Sequence, residues 1–101
     1  MSELRALIEA LVRIDSVNPA LDPAHEGETQ LARFVAAWGR QRGLRVTWLE
    51  STPGRPTVLL EAGGPSPVAG GTVLLNAHLD TVGVRGMEAP FEPREVDGRL
   101  Y

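Results

Sequence analysis

Apolar positions recur at helical spacing through the first forty residues and at strand-like spacing after residue 44. Leu4, Leu7, Ile8, Leu11 and Val12 follow the i, i+3, i+4, i+7, i+8 rule. They predict a first helix from the capping residue Ser2 to about Ile14. Asn18-Pro19 and Asp22-Pro23 then read as turns. A second helix is predicted from about Glu26 to Arg42, with Leu31, Phe34, Val35 and Trp38 as its apolar stripe. Glu26 and Glu28 suit the positive end of the helix dipole, Arg40 and Arg42 its negative end, and Gly43 is a natural stop.

From Leu44 to Glu50 the pattern alternates, with Leu44, Val46 and Trp48 on one face of a strand. Residues 51–56 carry Pro53-Gly54 and read as a turn, and Thr57 to Ala62 as a second strand. Gly63 to Gly71 is a loop of Gly, Pro, Ser and Ala, and no helix follows to make it a phosphate cradle. Thr72 to Ala77 is predicted as a third strand, apolar enough to be buried on both faces. The stretch from Val84 to Tyr101 reads as an irregular loop ending in a short strand at Arg99 to Tyr101, with Asp97-Gly98 as its turn. The fold class expected is α/β: two N-terminal helices packed on a mixed β-sheet whose edges are open at this length.

Composition narrows the possible functions. The chain of 101 residues is 43% hydrophobic with a net charge of -3, the balance of a globular protein without a basic footprint for nucleic acid. All ten basic residues are arginine, which removes any phosphate loop built on lysine. With no cysteine, a metal can be held only by His, Asp or Glu. There is no basic-then-apolar leader, and no apolar run approaches the ~20 residues of a membrane span. The expected location is cytoplasmic.

The candidate chemistry sits where the third apolar run ends. His78 and Asp80 lie two residues apart, so an extended backbone places them on one side. Imidazole is the commonest metal ligand, and a neighbouring carboxylate fixes its tautomer and orientation. The ring is expected to face a cavity.

His78-Leu79-Asp80-Thr81-Val82 after Leu74-Leu75-Asn76-Ala77 resembles the first metal motif of the M20 metallopeptidases, the family of acetylornithine deacetylase, succinyl-diaminopimelate desuccinylase, aminoacylase-1 and carboxypeptidase G2. Leu11 to Pro19, with its Ser16-Val17-Asn18-Pro19 turn, is similar to the family's opening helix and turn. Glu26-Gly27-Glu28-Thr29 resembles the acidic start of its second helix. Ala89-Pro90-Phe91-Glu92-Pro93 and Val96 to Tyr101 resemble the approach to the second metal motif.

The resemblance implies that residues 1–101 are the N-terminal part of a zinc-exopeptidase-like catalytic domain, cut before that second motif. It implies hydrolysis of an amide bond in N-acyl amino acids or short peptides by two zinc ions, or cobalt or manganese, in the complete protein. It assigns His78 as a metal ligand and Asp80 as the acid beside it, counted with the catalytic residues. The family's bridging aspartate, Glu-Glu pair and second histidine have no matching positions here.

Other residues read more simply. His25 is expected to face solvent ahead of a helix. Trp38 and Trp48 are expected to pack in the core. Arg40, Arg42 and Arg45 form a solvated cluster at a helix end, and Glu88, Glu92 and Glu95 belong to a solvated loop. An alternative of another class is a non-catalytic module that self-associates as a homo-oligomer through open sheet edges.

Overall fold

The computed structural model describes residues 2–64 and 70–101. The middle of the predicted Gly63–Gly71 loop, residues 65–69, lies outside them. Among the described residues, two helices and two small antiparallel sheets make a mixed α and β fold. The order is α1 (Ser2–Val12), α2 (Thr29–Gln41), β1 (Arg45–Thr52), β2 (Arg55–Glu61), β3 (Glu95–Val96) and β4 (Arg99–Leu100). No helix among the described residues is long and apolar enough to cross a membrane.

The unit that packs well is α2 on the β1–β2 hairpin. Register pairs Val46 with Leu60 and Trp48 with Val58, so one apolar face gathers those four side chains. The turn is tighter than predicted. Pro53 and Gly54 alone separate the strand ends, and Gly54 supplies the positive φ of +77° that the second turn position needs. Against this face α2 presents small residues. Leu31, Ala32, Ala36 and Gly39 are buried, whereas Phe34, Val35 and Trp38 of the predicted stripe are only half-buried.

The reason is close approach. A Cβ at Gly39 would lie 2.6 Å from Leu60 Cδ2 and 3.2 Å from Val46 Cγ2, so the hairpin fits only against a helix face with little on it. Trp38 instead lies beneath the Arg42 guanidinium, 4.2 Å from ring centroid to Cζ.

The end of α2 follows the sequence. Gly43 takes φ +72°, its N–H donates to Arg40 O at 3.1 Å, and Leu44 N–H donates to Gly39 O at 3.0 Å. That pair of bonds is a Schellman motif, which satisfies two of the last carbonyls. The start is later than predicted. Gly27 has φ +86°, outside helical space, so the helix opens only after Glu28. Glu28 caps nothing with its side chain, which leaves for another partner.

Two expectations need correction. α1 has no buried residue and does not pack on the sheet. Surface ion pairs tie it down instead: Glu3 to Arg42 at 2.9 Å, and Arg5 to Glu95. The hairpin has one apolar face, which α2 occupies. Its other face carries Arg45, Thr47, Leu49, Thr57, Leu59 and Glu61 and is too polar to hold a second helix layer.

Thr72–Ala77 is not a strand and is not buried. Among the described residues its backbone forms no ladder, and Val73, Leu74 and Leu75 are 84%, 76% and 89% exposed. Apolar character creates a demand for burial, but a strand exists only where a partner strand lies alongside. In place of the expected mixed sheet, the described residues form two separate antiparallel pairs plus one isolated parallel bridge, Val17 to Thr81. The solvent-accessible surface is correspondingly large, 7868 Å² against about 5,600 Å² for a compact monomer of this mass.

The C-terminal hairpin follows the sequence. Asp97 (φ 51°) and Gly98 (φ 75°) both sit in left-handed space and join β3 to β4 as a two-residue turn. Arg94 and Tyr101 exchange two further backbone bonds at 2.9 and 2.8 Å.

Candidate functional site

The parallel bridge carries the His78 segment back to the N-terminal half. Thr81 N–H donates to Ser16 O at 3.0 Å, and Asn18 N–H donates to Thr81 O at 2.9 Å. Val17, between them, is fully buried. The Ser16-Val17-Asn18 turn is thus a clamp that fixes the C-terminal end of an otherwise unpaired segment.

His78 and Asp80 come together at this clamp. His78 Nδ1 lies 2.8 Å from the backbone oxygen of Asp80 and 3.1 Å from its Oδ1. A carbonyl oxygen only accepts, so Nδ1 carries the proton and donates it. In the neutral ring Nε2 is then the bare acceptor. Its side chain is 84% exposed, so that nitrogen is open to solvent. A histidine whose second nitrogen donates to a carbonyl and carboxylate is prepared as a metal ligand.

Asp80 is held from the other side by residues distant in sequence. Asn18 Nδ2 donates to Asp80 Oδ2 at 2.9 Å, and Arg55 Nη2 approaches the same oxygen to 3.7 Å. The Asn18 amide above all, with His78 and Arg55 adding to it against the cost of partial burial, holds the Asp80 carboxyl below its ordinary range. Arg55 in turn donates from Nε to Glu28 Oε1 at 2.6 Å. The Glu28 side chain is 7% exposed, and its Oε2 is buried with no partner.

His25 differs from expectation. It does not face solvent. Its Nδ1 lies 2.5 Å from Asp15 Oδ2, its Nε2 lies 3.7 Å from Asp22 Oδ2, and the Phe91 ring stands edge-on at 6.4 Å. Asp22 is further held by Arg85 and by the Ala24 N–H, and its carboxyl is lowered chiefly by that backbone bond. His25 is thus hydrogen-bonded through Nδ1 to Asp15, with Asp22 farther off on the side of Nε2. The Asp22 contact is beyond hydrogen-bond reach, so what sets the two histidines apart is exposure: the side chain of His25 is 18% exposed and that of His78 84%.

The surroundings of His78 are open. Described residues form a groove of about 550 Å³ between α2 and the hairpin, lined by Arg33, Arg40 and Trp48, and another of about 510 Å³ beside Asp15 and His25. His78 lines neither of these two grooves. Among the described residues no three His, Asp or Glu side chains converge to hold an ion. The imidazole fits zinc as one arm, and a catalytic site needs three protein ligands. Glu88, Glu92 and Glu95 supply no second arm: all three are exposed, and Glu95 is paired with Arg5.

Sequence reasoning does not reach Asn18, Arg55 and Glu28 as site residues. Only the Asn18 contact had a signal, in the Ser-x-Asn-Pro turn. The Arg55 link joins a hairpin turn to a helix start and leaves no periodic trace. Comparison with protein-family models, curated proteins and solved structures gave no match.

Proposed function

We infer that this chain supplies His78 as one metal ligand, and Asp80 as the acid that holds it, to an M20-type metallohydrolase cleaving the amide bond of N-acyl amino acids or short peptides. The observation that carries this reading is the bonding of His78: Nδ1–H is given to Asp80, and Nε2 is left bare and accessible. The flanking resemblance, in order along the chain, supports the choice of family. Zinc, cobalt or manganese, as a pair in the complete site, would polarise the amide carbonyl and bring the pKa of a water to about 7.

The work of this chain's own residues is positional. His78 presents a nitrogen lone pair, Asp80 fixes the ring, and Asn18 fixes Asp80. With one ligand, the chain by itself is expected to hydrolyse nothing when zinc or cobalt is added.

The test is metal addition to the isotope-labelled chain, followed at the two histidines by nuclear magnetic resonance. Zinc is expected to shift or broaden the His78 ring signals and leave His25 unmoved, and His78→Ala is expected to abolish the response. A response at His25, or none at either ring, removes the ligand assignment.

A second reading, self-association without catalysis, is favoured by the bare apolar run Val73-Leu74-Leu75. Size-exclusion chromatography separates the two: a stable assembly indifferent to zinc, with no shift at His78, supports the second.

A further inference from the structure

Arg55 is shared between two carboxylates in a way that an ion pair kept for stability alone does not need. Its Nε donates to buried Glu28 at 2.6 Å while Nη2 turns to Asp80 at 3.7 Å. A guanidinium matched to one carboxylate usually offers two parallel bonds to its two oxygens. Here Glu28 receives one bond and keeps Oε2 buried and unpartnered, a cost the protein bears. The other arm faces Asp80, in the segment that carries His78, as a charge contact at 3.7 Å rather than a hydrogen bond.

The effect on Asp80 is a division of its two oxygens. Oδ2 accepts from Asn18 at 2.9 Å and faces Arg55. That leaves Oδ1 turned to His78 Nδ1 at 3.1 Å, where it adds to the shorter 2.8 Å bond from Nδ1 to the Asp80 backbone oxygen. The three anchors come from three places in the chain: Asn18 from the turn after α1, Arg55 from the start of β2, and Glu28 from the residue that opens α2. Together they tie an unpaired arm to the one well-packed unit of the fold.

We propose that Glu28 and Arg55, with Asn18, form a positioning relay that orients the Asp80 carboxylate and through it holds His78 in the Nδ1–H form. Its relevance to metal binding rests on the reading of His78 as a ligand. Arg55 and Glu28 touch no reacting atom and are positioning residues. Lysine cannot replace Arg55, because a single ammonium cannot span two carboxylates as a planar fork does.

The relay is tested without metal, so its outcome is separate from that of the ligand assignment. Long-range proton–nitrogen spectra of the labelled chain, at a pH where the rings are neutral, report which nitrogen of each histidine carries the proton. The probe variants are Arg55→Lys, Glu28→Gln and Arg55→Met, and His25 is the internal control for the fold. The expected result is that the Nδ1–H fraction of His78 falls in all three variants while the His25 signals stay in place. Zinc affinity at His78 in Arg55→Lys is then expected to weaken about tenfold. An unchanged His78 tautomer in a variant whose His25 signals are native overturns the proposal. So does loss of the folded His25 signals in all three, since the contacts would then be structural rather than directing.

Discussion

Thr57-Val58-Leu59-Leu60-Glu61-Ala62 and Thr72-Val73-Leu74-Leu75-Asn76-Ala77 differ at a single position. The first lies mostly within β2, where Val58 and Leu60 face α2 and Glu61 closes the ladder opposite Arg45. The second is unpaired, with its leucines in solvent. Near-identical hexapeptides thus have opposite fates. The difference is one of neighbours. The first follows β1 through a two-residue turn that brings a partner at little entropic cost. The second is separated from the first by residues 63–71, and its backbone attachment among the described residues, at Thr81, comes after the run has ended.

Amide exchange should give the widest contrast between the two stretches. Amides of Val58 and Leu60 are expected to exchange roughly tenfold or more slowly than those of Val73 and Leu75. Equal protection would mean that the second run has found a partner, in this chain or in another copy. Next in size is truncation. Leu60→Ala removes a half-buried side chain from the α2 interface and is expected to cost about 2 kcal/mol, whereas Leu75→Ala should stay within about 0.5 kcal/mol. Urea denaturation measures both, and equal costs would break the comparison.

The smallest effect is expected from Glu61→Asn, which makes the two hexapeptides identical. Glu61 accepts two bonds from Arg45, at 3.0 and 2.7 Å, and the Arg45 bond foremost holds its carboxyl below the ordinary range. A depressed carboxylate contributes above its unfolded pKa, and that contribution is lost as pH falls through the folded one. The variant should therefore be slightly less stable than the parent at neutral pH and should converge with it in acid, with the hairpin retained throughout. A hairpin that melts on this exchange would show that Glu61, rather than the neighbouring strand, separates the two fates.

What could be read from the chain follows the same division. Local features were legible: the apolar period of both helices, the Gly43 stop, the Pro53-Gly54 and Asp97-Gly98 turns, and the alternation that places Val46 and Trp48 together. Each is decided within a few residues. The pairing of His78 with Asp80 belongs to this group, because a spacing of two is also local. The failures are matters of partnership. Thr72–Ala77 had the composition of a buried strand and no neighbour. α1 had an apolar stripe and no surface to cover. The α2 interface ran along Ala32, Ala36 and Gly39, because the tightness of a contact shows in the partner's approach and not in the stripe itself. The surroundings of His25 are not local either: Asp15 and Asp22 reach it only after two turns fold the chain back on itself.

The two indole rings stand on the same side of this division. Trp38 rides on α2 beneath Arg42, and Trp48 sits in β1. Intrinsic fluorescence is therefore a one-sided witness. An emission-monitored melt records the helix and its hairpin coming apart, while the histidine arm can loosen or find a companion without changing the light.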